Sequence, residues 1–264
     1  MPHLDNNGVK IYYEVHGEGP PLLLSHGFSS TSGMWKGQVS TISTYFKLIT
    51  WDMRGHGQSD YPRDQSAYSE ELTVSDMAAI LDHVCGPSSS AIVGGLSLGG
   101  YMSQAFYRDH PDRVRALLII ATGPGFKKDS ARDAWNETAH KTAKAFETQG
   151  LAVLQQESPE RASATHRDAT GLALAARGML AQRNSGVFDA LPQIKVPSLI
   201  VVGADDAPFL PASEYMLKKI PGAKKVVIPR AGHAVNIDQP QLFLKAIMPF
   251  LDDLRQERNP KSLL

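Results

Sequence analysis

A chain of 264 residues with 42% hydrophobic side chains can bury a sizeable core, and it suits one domain with an insertion. Its 27 basic and 27 acidic residues sum to a formal charge of +0 with no long run of either sign, which argues against nucleic acid and other anionic polymers as partners. The single cysteine, Cys85, excludes an intramolecular disulfide and any cysteine-rich metal site, and reads as a small apolar residue near a helix end.

The N-terminal stretch lacks a basic start followed by an apolar run, and no apolar segment approaches the roughly 20 residues that cross a bilayer. A soluble, cytoplasmic protein without membrane contact is expected, as a monomer or homodimer acting on a small molecule. Val9 to Val15 alternates apolar and polar residues like an exposed edge strand, which predicts an antiparallel start. Continuous apolar runs then recur at Pro21–Leu24, Lys47–Trp51, Ala91–Val93, Ala116–Ile120, Ser198–Val202 and Lys225–Ile228, as strands covered on both faces require. Helical patterns separate them near residues 34–44, 72–84, 99–110, 212–220 and 240–254. This alternation predicts an α/β fold, a mostly parallel sheet flanked by helices.

The rhythm breaks once. Residues 124–193 contain no convincing strand, but Trp135, Ala139, Ala143 and Phe146 share helical spacing within Ala131–Thr148. Leu172, Ala176, Met179 and Leu180 do the same within Arg167–Arg183. A crossover between neighbouring strands needs only one helix, so this segment is expected to be a helical lid between two parts of one core, residues 1–123 and 194–264. The polar tail from Arg255 to Leu264 is expected to fray.

Gly95-Leu96-Ser97-Leu98-Gly99-Gly100 stands between the strand at Ala91–Val93 and the helical pattern of Met102, Ala105 and Phe106. Such a string is by itself ordinary loop punctuation. With a strand before it and a helix after it, it predicts a strained elbow that holds Ser97 out as a nucleophile. Side chains at 95 and 99 would clash where strand and helix approach, and Ser97 is forced into an unfavourable backbone region. Strain of roughly 1–3 kcal/mol at one residue is usually kept where function uses it.

A serine hydroxyl needs a base, commonly a histidine oriented by a carboxylate. Of nine histidines, His233 in Arg230-Ala231-Gly232-His233-Ala234-Val235 follows the last strand, where a loop crosses the sheet edge that carries Ser97. His83, His110, His140 and His166 lie on polar stretches and read as solvated. Asp205 and Asp206 follow the strand ending at Val202, at the edge where such sheets gather ligands and catalytic groups. Asp206 is the choice to orient His233, with Asp205 in reserve, and the other aspartate is free to cap the next helix. The oxyanion hole calls for two backbone amides, expected from Leu98 at a helix N-terminus and from Phe28, which Gly27 lets turn toward the site.

With His26-Gly27, Asp52-Met53-Arg54-Gly55-His56-Gly57-Gln58-Ser59, the Ser97 elbow, Gly203 to Asp206 and Gly232-His233 in register, the chain resembles the α/β-hydrolase family over nearly its whole length outside the lid. The resemblance implies a mostly parallel eight-stranded sheet and a mainly architectural role for the segment around Arg54 and His56. It favours Asp206 by its spacing from Gly203, although Pro211 falls later than usual. Ser97 separates the chain from the dehalogenases and epoxide hydrolases, whose nucleophile is aspartate. Ala234 stands where the carbon–carbon hydrolases usually carry tryptophan. Residues 1–125 most resemble the carboxylesterase and enol-lactonase branch. The expected activity is hydrolysis of a small carboxylic ester or lactone through an acyl-enzyme on Ser97, without a metal or organic cofactor. Trp135, Met179, Phe209 and Val235, with Phe28 and Leu98, are the expected lining of an apolar acyl pocket. Carbon–carbon bond hydrolysis, perhydrolysis, cofactor-independent oxygenation and a non-enzymatic ligand receptor are the alternatives on the same fold.

Overall fold

The computed structural model describes residues 2–156, 159–162 and 164–257. Eight strands form one sheet: β1 (His3–Asn6), β2 (Val9–His16), β3 (Pro21–Ser25), β4 (Lys47–Trp51), β5 (Ala91–Leu96), β6 (Val114–Ile120), β7 (Ser198–Gly203) and β8 (Lys224–Ile228). Their spatial order is β1-β2-β4-β3-β5-β6-β7-β8. β1 and β2 pair antiparallel, β2 runs antiparallel to β4, and every other pairing is parallel. The apolar runs expected as strands are strands.

β1 is an addition to the sequence reading, and its signal was present. Asn7 and Gly8 carry positive φ (54° and 82°) and form a two-residue turn that pairs Asn6 with Val9, the hairpin geometry that Asn-Gly favours. The continuous apolar character of the central strands has a simple cause. Side chains alternate between faces, so Leu23, Val93, Leu117 and Ile119 join one buried cluster while Leu22, Leu24, Ile92, Leu118 and Ile120 join another.

The helices are α1 (Lys36–Ile42), α2 (Glu70–Cys85), α3 (Leu98–Asp109), α4 (Asp129–Gln149), α5 (Pro159–Ala162), α6 (Ala169–Ala175), α7 (Gly186–Ala190), α8 (Leu210–Lys219), α9 (Val235–Asp238) and α10 (Pro240–Glu257). α2 starts on a Ser69 side chain that accepts from the Leu72 amide, with Glu70 and Glu71 in its first turn, the arrangement that caps free amides and opposes the helix dipole. Cys85 closes α2 as expected. Trp35, Ile42, Phe243 and Ile247 cover one sheet face; Met77, Ile80, Phe106, Phe146 and Leu172 belong to the cluster on the other.

Between β6 and β7 the described residues form α4 to α7 with no strand, so this connection is a helical insertion. The helix expected over 167–183 is shorter. α6 gives way at Ala176 to a widened π turn, Ala176–Leu180, closed by the Ala181 amide on the Ala176 carbonyl at 3.0 Å. The widening lets Gly178 press against Tyr68, where a Cβ would collide with the Tyr68 carbonyl oxygen. Of the tail expected to fray, Arg255 to Glu257 are helical, and the remainder lies outside the described residues.

Candidate active site

Ser97 joins β5 to α3 at φ 57°, ψ −116°, a left-handed conformation that a non-glycine residue adopts at a cost. Its amide donates to the Ile120 carbonyl at 2.9 Å and its carbonyl accepts from the Tyr101 amide at 3.0 Å. A Cβ at Gly95 would stand 2.6 Å from the Gly99 carbonyl carbon and from the Ser25 oxygen, and one at Gly99 would collide with Ser25. Both glycines are therefore needed for the strand, turn and helix to close up. The serine side chain is half-buried at the C-terminal edge of the sheet.

His233 and Asp206 come together from two neighbouring loops. The loop after β7 is tied to the loop after β8 by Ala204 N–H to the Ile228 carbonyl (2.9 Å) and Asp205 N–H to the Ala231 carbonyl (2.9 Å). Gly203 permits this approach, because a Cβ there would strike the carbonyl oxygens of Ala231 and Gly232. The result is a 2.9 Å contact between His233 Nδ1 and the Asp206 Oδ2 carboxylate oxygen. Asp206 is 5% exposed, whereas Asp205 points to solvent. The carboxylate partner of His233 is thus Asp206. Asp205 does not cap the next helix either: α8 begins after Phe209 with no side-chain cap. The Phe209 ring stacks on the His233 imidazole, with centroids 4.9 Å apart and planes inclined by 28°.

The loop Ser25–Ser30 runs past the elbow, with Gly27 so close that its Cβ would lie 3.5 Å from that of Ser97. Among the described residues, neither the Phe28 nor the Leu98 amide has a hydrogen-bond acceptor. Three buried imidazoles brace this loop. His26 Nε2 accepts from Met53 N–H (2.9 Å) while its Nδ1 donates to the Gly27 carbonyl (2.7 Å). His56 Nε2 accepts from Ser29 N–H (3.1 Å) and its Nδ1 donates to the Arg54 carbonyl (3.1 Å). His166, from the insertion, accepts from Gly57 N–H (3.1 Å) on Nδ1 and donates to the Ser29 carbonyl (3.0 Å) from Nε2. Each ring thus serves as donor and acceptor at once, which only the neutral imidazole can do. Burial keeps them so: it pushes His26 and His56 down from 6.5 and His166 down to about 4. His166 is therefore not the solvated residue its polar neighbours suggested, because the side chain packs into the core although the flanking segment is exposed.

The segment around Arg54 has the architectural character expected of it. Arg54 makes a two-pronged bond to Asp76 (2.7 and 2.8 Å) with both side chains buried. Asp52 accepts from the amides of Ser32 (2.7 Å) and Gln58 (2.8 Å).

A cavity of about 260 Å³ opens beside Ser97, lined by Leu98, Trp135 and Phe209 as expected, and also by Tyr101, Thr122, Phe126, Leu180, Gln182 and others. Met179 and Val235 do not reach it. Met179 (1% exposed) and Val235 (0%) are packing residues of opposite core clusters, since helical spacing marks a buried face without saying what it is buried against. Phe28 likewise packs edge-on against His56 and Phe146. A larger polar depression of about 770 Å³, bordered by Lys10, Asp52, Gln58 and Arg167, contains neither Ser97 nor His233.

An elbow serine at the end of a parallel strand, with an Asp–His pair and two free amides at the same sheet edge, defines the class of α/β hydrolases. Residues 22–246 match the model of the Alpha/beta hydrolase family, and the chain belongs to that family. Among its relatives is a pimeloyl-[acyl-carrier protein] methyl ester esterase of Nitrosomonas europaea, 30% identical over 89% of this chain and 97% of that protein. A 2-(acetamidomethylene)succinate hydrolase of Mesorhizobium japonicum is 29% identical over 94% of each. A solved thermophilic esterase from Thermogutta terrifontis is 29% identical and superposes with a TM-score of 0.81, covering 97% of this chain and 100% of its own. No helix among the described residues is long and apolar enough to cross a membrane.

Proposed function

We propose that this protein is a serine hydrolase that cleaves a small carboxylic ester or lactone through an acyl-enzyme formed on Ser97. Ester bonds are the targets named for two of its relatives, each matched over most of its length. The observation that carries the reading is the Asp206–His233 pair at 2.9 Å, with Phe209 stacked on the imidazole and also walling the cavity that holds Ser97.

In this mechanism Ser97 Oγ attacks the carbonyl carbon while His233 Nε2 takes its proton. Asp206 accepts from Nδ1–H, holds the tautomer and stabilises the imidazolium. The free amides of Phe28 and Leu98 receive the negative charge that develops on the carbonyl oxygen, where losing one donor costs about 3–4 kcal/mol. His233 then returns its proton to the leaving alcohol. Water, deprotonated by the same histidine, attacks the acyl-enzyme, and the acid departs with Ser97 restored. The insertion acts as a lid, a role supported by the residues it contributes to the cavity wall, among them Phe126, Trp135, Leu180 and Gln182.

Steady-state hydrolysis of short-chain p-nitrophenyl esters, together with fluorophosphonate labelling of wild type and Ser97→Ala, tests this reading. Repeated turnover and labelling, both lost in Ser97→Ala, are expected. Labelling that persists without Ser97 would remove it as nucleophile. Tight ligand retention with negligible turnover would favour a receptor.

A further inference from the structure

We propose that His166, carried by the insertion, is a positioning residue for the reaction at Ser97: it heads a hydrogen-bond relay through two peptide units that ends on the Phe28 amide and aims that N–H at the oxyanion. This rests on the hydrolase reading, in which the Phe28 N–H receives the developing charge.

The relay can be followed bond by bond. Gly57 N–H donates to His166 Nδ1 at 3.1 Å, which leaves the ring proton on Nε2, and Nε2–H donates to the Ser29 carbonyl at 3.0 Å. The same peptide unit ends in Ser30 N–H, which donates to the Gly27 carbonyl at 3.1 Å. The Gly27 peptide unit ends in turn in Phe28 N–H, which has no acceptor among the described residues. Both units are trans, so in each the N–H points opposite to its C=O. A donor that fixes one carbonyl therefore fixes the direction of the amide behind it. Bonds in such a row also polarise one another, and each makes the next N–H a stronger donor.

The backbone at the start of this relay needs such a hold. Ser29 lies at φ 56°, a left-handed conformation that a non-glycine residue keeps only where its surroundings impose it. His56 Nε2 takes the Ser29 N–H at 3.1 Å and His166 takes the Ser29 carbonyl at 3.0 Å, so one ring from the core and one from the insertion grip the residue from both sides. The insertion meets both neighbours as well. The Ser30 hydroxyl donates to the Glu160 carbonyl at 3.1 Å, and the Phe28 ring packs edge-on against Phe146. The far end of the relay lies at the elbow, where a Cβ on Gly27 would be 3.5 Å from that of Ser97. The insertion thus bears on the reacting carbonyl through the Phe28 amide as well as through the cavity wall. His26 Nδ1 also donates to the Gly27 carbonyl, at 2.7 Å, so removing His166 should weaken the Phe28 donor rather than abolish it.

The test compares wild type, His166→Leu, His166→Asn and His166→Gln in kcat and KM for p-nitrophenyl butyrate, and in Ki for a trifluoromethyl ketone of matched chain length, which forms a hemiketal oxyanion on the serine. Glutamine carries an acceptor and a donor spaced much like the two ring nitrogens and can span Gly57 and Ser29. Asparagine keeps an acceptor near the Nδ1 position but falls short of Ser29, and leucine offers neither. The Leu and Asn variants should lower kcat about tenfold, less than the roughly 10²–10³-fold that loss of a whole oxyanion donor costs. Their KM should stay within about twofold, the pattern of a contact made only in the transition state, and their Ki should rise by the factor that kcat/KM falls. Gln should recover most of both. KM and Ki report folded molecules alone, so a smaller folded fraction moves neither, and the Asn variant decides the matter if the Leu variant does not fold. Wild-type kcat and Ki in the Asn variant, a kcat loss with Ki unchanged, or a Gln variant as impaired as Asn overturns the proposal and leaves ester hydrolysis standing. No ester turnover by wild type, or undiminished turnover by Ser97→Ala, would overturn the hydrolase reading and the role of His166 with it.

Discussion

Ser97 is held in its left-handed conformation by neighbours that have no room to give. The nearest atoms to a Cβ at Gly95 are backbone atoms of Gly99 and Ser25, which cannot rotate aside as a side chain would. Gly95→Ala is expected to lower stability by about 1–3 kcal/mol and to slow fluorophosphonate labelling, read by thermal melting and by the labelling rate. At the acid position the two adjacent aspartates should behave very differently. Asp206→Asn removes the carboxylate that accepts from His233 and should reduce kcat by about 10⁴-fold. Asp205→Asn alters an exposed side chain and should leave kcat within about twofold, surface changes of this kind being nearly neutral. A full kcat in Asp206→Asn would show that the pair does not act as proposed. Chain order and spacing made Ser97, His233 and the Asp205/Asp206 choice readable. Spacing from Gly203 put Asp206 ahead of Asp205, and the contact between loops that pairs Asp206 with His233 is one that adjacency in sequence does not contain.

Among the elements, the loop that presents the Phe28 amide depends on three neutral histidines whose rings bond backbone on both sides. His166 titrates near 4 in the folded protein and near 6.5 when unfolded, so between those values the unfolded chain binds the extra proton. Stability is then complete above pH 6.5 and falls as the pH drops toward 4, with His166 accounting for about 3 kcal/mol of the loss. Urea titrations across that range should show the slope, and His166→Gln should flatten it; an equal slope in the variant would exclude His166 as the cause. The same segment rests on the buried Arg54–Asp76 pair. Arg54→Met strands a carboxylate that burial already pushes toward its protonated form, and should cost about 3–5 kcal/mol in urea unfolding. Periodicity located these elements well, but the depth of His166 and the π turn at Ala176–Leu180 follow from packing against Ser29, Gly57 and Tyr68, residues more than a hundred positions away.

Across the whole molecule, β3, β5, β6 and β7 separate two apolar clusters, while β1 and β8 sit at the sheet edges with partly exposed side chains. Amide hydrogen exchange should accordingly be slowest in β5, β6 and β7 and fastest in β1 and β8. Slow exchange confined to the insertion would contradict this division. The same arrangement places Ser97, Asp206 and His233 at one edge of the sheet, because parallel strands bring their C-terminal ends, and the loops that follow, to the same side.

By itself the sequence determined the α/β alternation and the ester-hydrolase class, and it singled out the elbow serine and the histidine as candidates, because these readings rest on local patterns: apolar runs, glycines beside a turn, and the order of three residues along the chain. Tertiary structure decided which side chains face the cavity. Met179 and Val235 share the apolar character of Trp135 and Phe209, yet only the latter two line it. Gln182, polar and unremarked in the sequence, joins the cavity wall beside Trp135, and Asn136 holds its backbone there. Whether a side chain meets a ligand or the core depends on what lies across the space from it, and that neighbour comes from another part of the chain.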